Sequence, residues 1–108
     1  FIHVNDCVDV CLWLQEHSNG GIFNGGTSYA NPFNHIAEII GKWCSSKGLP
    51  FKSEITPFPD HLKGSYQSYT CADLTELKQA GYACKFMSIE EAIFQYLDFL
   101  NSTSMNAK

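Results

Sequence analysis

The amino-acid sequence predicts an α/β fold, a small domain built on one parallel βαβ unit with additional helices. Three observations lead there. An apolar opening, "FIHV", runs into a stretch with helix-capping residues. Two short apolar runs, "GIFN" and "PFKSEIT", bracket a segment of strong helical periodicity. Beyond Pro57 the periodicity lapses and then returns in two further helical stretches.

Phe1 to Val4 read as a strand, after which Asn5 or Asp6 supplies a side-chain oxygen to cap a helix. That helix extends to about His17 with Val8, Cys11, Leu12 and Leu14 inward, and "SNGG" ends it. "GIFN" is too short for a helix and reads as a strand. Asn31 then caps a second helix with Pro32 at its first position, where the missing N–H costs nothing. Phe33, Ile36, Ala37, Ile40, Trp43 and Cys44 repeat at helical spacing until Gly48. Strand, helix and strand at this length imply parallel strands joined by a right-handed crossover.

From Pro57 to Thr70 the text is irregular, "PFPDHLKGSYQSYT", and so long an aperiodic stretch within a small domain is typically functional or mobile. A short helix follows over Asp73 to Ala80, closed by Gly81. Ser88 and Glu91 have capping-box spacing for a last helix, whose apolar face is Ile89, Ala92, Ile93, Tyr96, Leu97 and Leu100. Residues 1–100 form one domain, and "NSTSMNAK" over 101–108 is a polar tail.

With 108 residues the chain has room for one modest core. A net charge of −4 argues against a nucleic-acid partner, because phosphate neutralisation needs a basic surface. No run approaches the roughly 20 apolar residues of a transmembrane helix, so no membrane partner is expected. The five cysteines are odd in number and lack a C-x-x-C pair, which points to reduced, mostly buried thiols and a cytoplasmic location. The apolar opening without a lead-in suggests a fragment of a longer protein.

Several sites fail on their chemistry. Gly20, Gly25 and Thr27 approach phosphate-loop spacing, but the lysine such a loop needs is replaced by Gly26. His3, Cys7 and Cys11 are four apart, yet no fourth ligand stands near and no metal site is expected. Glu90 and Glu91 complement a helix dipole and need no catalytic role. No histidine can be placed beside a thiol by spacing alone, and no catalytic residue is assigned. The loop "DHLKGSYQSYT" is richer, for Lys63, Gly64, Ser65, Tyr66 and Gln67 bring a flexible cation, a glycine, a phenol and polar donors together. Such a set suits a sugar diphosphate.

This loop and its flanks carry a resemblance. "PFPDHLKGSYQSYTCADLTELKQAGY" is similar to "PFPD-x-LKG-R-YQ-x-x-T-x-ADLT-x-L-x-x-AGY" of the ADP-glyceromanno-heptose 6-epimerases. "FIHVNDC" and "GIFNGGTS" resemble the phrases "RDF-I-Y-V-x-D-V" and "GIFN-x-GTG" of the extended short-chain dehydrogenase/reductases to which that family belongs. The likeness runs from Phe1 to about Leu100. It implies the carboxyl-terminal, substrate-binding portion of an NADP-dependent epimerase that inverts C6 of ADP-D-glycero-D-manno-heptose in lipopolysaccharide inner-core synthesis. NADP would be held mainly by a dinucleotide-binding domain absent from this sequence, and the parent enzyme would be a homo-oligomer.

The family's glycine fingerprint and its Tyr-x-x-x-Lys do not occur in these 108 residues, so the chain is expected to bind nucleotide sugar without hydride chemistry of its own. By the resemblance, Tyr66 matches the substrate-contacting tyrosine, and Lys63 matches the motif. Ser65 stands where the family has arginine, and Ser28 where it has glycine. These departures leave room for another nucleotide-sugar epimerase or dehydratase, or for a non-catalytic nucleotide-sugar-binding module.

Overall fold

The computed structural model describes residues 1–18 and 20–106, and among them the chain is helical and holds no strand. Four α-helices follow in order: α1 (Val4–His17), α2 (Phe33–Ser46), α3 (Thr75–Gln79) and α4 (Ile89–Asn106), with one 3₁₀ turn at Asp60–Leu62. The α/β class and its parallel βαβ unit are therefore overturned. A strand exists only when a neighbour answers its N–H and C=O groups, and no segment here lies alongside another to do so. Ile22 in "GIFN" is 92% exposed and Ile55 in "PFKSEIT" 84% exposed, and neither run pairs as a strand.

The expected first strand is also absent, because Val4 already begins α1. His3 is the cap in place of Asn5 or Asp6, its Nδ1 accepting the Asn5 N–H at 3.1 Å. The far end of α1 closes at Ser18, whose hydroxyl accepts the Gly20 N–H at 3.1 Å. Gly20 and Gly21 then turn with φ of 106° and 135°, angles that glycine adopts at no steric cost. Asn19 of the expected "SNGG" stop lies outside the described residues. At α2, Pro32 is extended and serves as the cap position with no side-chain bond, so the helix starts one residue later than its sequence predicts.

Two groups of side chains hold the helices. Val10, Leu74 and Leu77 are buried together, with Leu14, Phe23, Ala72, Tyr82, Cys84 and Phe86 packed around them. This cluster joins α1 to α3 and to the connections on either side of α3. The buried Asp6 reinforces it, accepting the Met87 N–H at 2.9 Å. Elsewhere α2 packs along α4, the one pair of helices in extended contact among the described residues. Ile39 and Trp43 are buried on α2, and the Trp43 indole N–H donates to Asp98 Oδ1 at 2.9 Å. Lys47 Nζ approaches the same oxygen at 3.2 Å. The indole bond first, and Lys47 second, hold the Asp98 carboxyl below its ordinary range.

Burial on α1 differs from the expected pattern. Val8, Cys11 and Leu12 face outward, and only Leu14 of the four predicted core positions joins the cluster. The thiols follow suit: Cys7, Cys11 and Cys71 are exposed, Cys44 and Cys84 half-buried, and all five are free. At the other end, α4 continues through Asn101–Asn106, which the sequence assigns to a polar tail; 107 and 108 lie outside the described residues. Ser88 starts α4 as expected, accepting the Glu91 N–H at 3.2 Å.

Between the helices, residues 45 to 71 are exposed without interruption. One anchor is the Phe51 ring, which lies over Gly41 of α2 so closely that a Cβ there would sit 3.1 Å from it. The chain is consequently thin and spread, 48 × 41 × 22 Å, with a radius of gyration of 17.3 Å. A compact chain of this length has about 13 Å. No described helix is long and apolar enough to cross a membrane.

Candidate functional site

The irregular stretch is shaped by its own short-range bonds. Pro57 and Pro59 restrict the backbone before the 3₁₀ turn, where Leu62 N–H donates to Pro59 O at 3.1 Å and Lys63 N–H to Asp60 O at 3.2 Å. Gly64 then takes φ of 81°, a left-handed angle that a side chain would strain. This reversal sends the chain back toward Phe58, whose ring lies 5.7 Å from that of Tyr66. Thr70 Oγ1 donates to Gln67 Oε1 at 3.3 Å and closes the loop beyond.

Here the two predicted binding residues part company. Tyr66 lines a cleft of about 720 Å³, together with Ser65, Gln67, Ser68, Tyr69 and Thr70 of its own loop. Lys63 is outside that lining. Its Nζ pairs with Asp60 Oδ1 at 2.6 Å, on the exposed side of the 3₁₀ turn. The opposite wall comes from Phe1 and from Tyr29 to Phe33, residues assigned by sequence to scaffold.

The cleft is rich in rings and poor in charge. Phe1, Tyr29, Phe33, Tyr66 and Tyr69 present aromatic surface, Asn31 and Gln67 amides, and none of the lining side chains is charged. Tyr69 titrates above its ordinary value, chiefly because its phenol O–H donates a hydrogen bond to the sulfur of the neighbouring Cys71. Aromatic faces stack on planar or sugar-like rings, while amides and hydroxyls fix orientation. The cleft abuts the N-terminus of α2, where Pro32 makes no side-chain capping bond. Helix N-termini carry partial positive charge and unpaired N–H groups, so an anionic group in this cleft is favoured without a lysine.

The wall from Tyr29 to Phe33 is held from behind. Thr27 Oγ1 donates to Phe1 O at 3.2 Å, Ser28 Oγ to Ala72 O at 3.0 Å, and Asn24 Nδ2 to Asp73 O at 3.3 Å. Phe1 and Phe33 meet edge to face at 5.6 Å. Ser28 takes φ of 60°, an angle at which glycine would be unstrained. Gly26 is buried, and a Cβ there would fall 2.7 Å from that of Ala72. Gly26, which stands where a phosphate loop needs lysine, therefore serves a close approach to Ala72.

The remaining candidates are scattered. His17 Nδ1 donates to Trp13 O at 2.9 Å and its ring stacks on the Trp13 indole at 4.6 Å. His35 is 3.6 Å from Glu38. Among the described residues no three His, Cys, Asp or Glu side chains gather as a metal site. Among the described residues neither α1 nor α2 is entered through a glycine-rich turn following a strand, the entry a dinucleotide-binding helix uses. No family model matches the chain.

Proposed function

We propose that this chain binds the nucleotide sugar for an NADP-dependent epimerase that inverts C6 of ADP-D-glycero-D-manno-heptose, without carrying out hydride transfer itself. The carrying observation is the cleft in which Tyr66 faces Tyr29, Asn31 and Phe33 beside the N-terminus of α2. Rings and amides there suit the base and sugar, and the helix end suits the diphosphate. The phrase from Pro57 to Tyr82 supplies the choice of sugar nucleotide. Support does not come from fold class, in which this helical chain departs from the family it resembles. NADP and the residues that move hydride belong to the parent enzyme, a cytoplasmic homo-oligomer in this reading, and no step through the cofactor is assigned to these residues.

Ser65 favours a second reading. It lines the cleft where the family has arginine, leaving the lining without a cation. A related nucleotide-sugar enzyme with a different sugar, or a binding module without catalysis, accommodates that loss. Calorimetry of the 108-residue chain with ADP-heptose, ADP alone and a second nucleotide sugar separates these. ADP-heptose is expected to bind tightest, and Tyr66→Phe to weaken it by about 0.5–1.5 kcal/mol, the loss of one neutral hydrogen bond. Equal affinity for all three ligands would remove the epimerase assignment, and unchanged affinity in Tyr66→Phe would remove its hydrogen bond.

A further inference from the structure

An asparagine side chain can close on the backbone nitrogen that follows it. Closure is favoured by a next residue without a side chain, by a free N–H on that residue and by a backbone outside regular structure. Asn5, Asn34, Asn101 and Asn106 are held within helices, and Asn31 precedes Pro32, which has no N–H. Asn24 meets every condition. It is exposed, precedes Gly25 and lies in the connection between α1 and α2. The Gly25 N–H has no hydrogen-bond partner among the described residues. Space around Gly25 is open, since a Cβ there would meet no atom within 4 Å. The Asn24 amide is itself lightly held, its Nδ2 donating to Asp73 O at 3.3 Å, long for such a bond.

We propose that Asn24 is a site of spontaneous modification, its side chain closing on Gly25 and then opening to isoaspartate. The Gly25 nitrogen, its proton given up to solvent, attacks Asn24 Cγ. A C–N bond forms, the Cγ–Nδ2 bond breaks, and the amide leaves as ammonia with a proton returned from solvent. One water then opens the succinimide ring, at Cγ to give aspartate or at the former peptide carbonyl to give isoaspartate. One water enters, one ammonia leaves and nothing is oxidised. The consequence is local and one-way. The product carboxylate can only accept, so it stands acceptor to acceptor against the Asp73 carbonyl. The Thr75 hydroxyl, and after it the Thr75 N–H, hold the Asp73 carboxyl below its ordinary range, which sets a second negative charge beside the new one. Isoaspartate also lengthens the main chain by one methylene, just before the point where Gly26 approaches Ala72. The ties that carry the cleft wall, Thr27 to Phe1 and Ser28 to Ala72, come immediately after. Modification therefore unfastens this connection from the start of α3, whatever the cleft binds.

The test is ageing of the 108-residue chain in mildly alkaline buffer, followed by chymotryptic digestion and mass spectrometry. Cleavage after Phe23 and Tyr29 separates Asn24 from Asn19 on one side and from Asn31 and Asn34 on the other. The 24–29 peptide is expected to gain the mass of an acid in place of an amide, as two isomers, well ahead of the peptides carrying Asn31 and Asn34. Gly25→Ala places its methyl in open space at a backbone angle outside the left-handed region, so it should fold normally and slow the conversion severalfold. The urea midpoint of the native chain should fall as the modified fraction rises, and Asn24→Asp should show a fall before any ageing. If Asn24→Asp fails to fold, the aged native chain supplies the same reading. Conversion at Asn24 no faster than at Asn31 or Asn34, an equal rate in Gly25→Ala, or a midpoint that falls as far in aged Gly25→Ala as in the aged native chain would each overturn the proposal.

Discussion

Around α3, cohesion is assembled from scattered pieces: Val10 and Leu14 from α1, Phe23 from a connection, Leu74 and Leu77 from a five-residue helix, and Tyr82 and Phe86 from the chain beyond it. Along α2 and α4 it comes from two long helices in contact, locked where one carboxylate receives both an indole and an ammonium. A helix of five residues has no stability of its own and exists only as part of its cluster, whereas helices of 14 and 18 residues bring much of their hydrogen bonding with them. In the first region α3 thus depends wholly on tertiary contact, although α1 is itself 14 residues long, and the second region is local structure with a clamp. Trp13 stands in the first and Trp43 in the second, so single-tryptophan variants read them separately.

The largest expected effect comes from Leu77→Ala. Leu77 is fully buried at the centre of the scattered cluster, and truncation there should cost about 2–5 kcal/mol. In urea, the Trp13 signal should shift to lower midpoint while Trp43 keeps most of its own transition. If both signals fall together, the regions form one cooperative unit and the contrast between them dissolves.

Gly26→Ala sharpens the same contrast from the connection side. Its new methyl would press against Ala72, which packs on the cluster, and overfilling of this kind costs about 1–3 kcal/mol. The urea midpoint read by Trp13 should fall with the slope unchanged; an unmoved midpoint would mean that the 20–28 connection yields freely.

The smallest effect belongs to the clamp and is a matter of pH. The Asp98 carboxyl is held below its ordinary value of 3.8 in the folded chain, so it contributes stability at pH above that value. That contribution fades as pH falls through the depressed folded value. Stability read by Trp43 should therefore drop more between about pH 5 and pH 2 in the native chain than in Asp98→Asn, with the Trp13 transition little affected by the substitution. Parallel acid profiles in the two proteins would deny the carboxylate its part.

How much of this was legible in the sequence depended on whether the deciding partner was local. Ser88 with Glu91, and Ile36 through Trp43, announce α4 and α2 because cap and periodicity are both within a few residues. The strands failed for the opposite reason. "GIFN" and "PFKSEIT" have strand composition, but pairing is decided by a neighbour that no local pattern supplies. On α1 the sequence is apolar on two sides, Val8 and Leu12 on one, Val10 and Leu14 on the other, and periodicity cannot say which side meets Leu77. Tyr66 was visible as part of a dense polar loop. Tyr29 and Asn31 were not, since only the crossing of distant segments places them opposite it. Gly26 hid its purpose similarly, because it answers to Ala72 and not to anything beside it.

The exposed stretch from 45 to 71 has a further consequence, which lies in connectivity. It divides the chain so that α1 and α2 precede it and α3 and α4 follow, yet α1 belongs with α3 and α2 with α4. Each pairing must close a loop across the same tether, an entropic cost that a shorter tether would lessen only slowly. Trypsin cutting at exposed Lys52 or Lys63 would leave an amino-terminal and a carboxyl-terminal fragment, each holding one half of both regions. Two such fragments have every non-covalent reason to find one another again, as a split protein does when its halves are mixed.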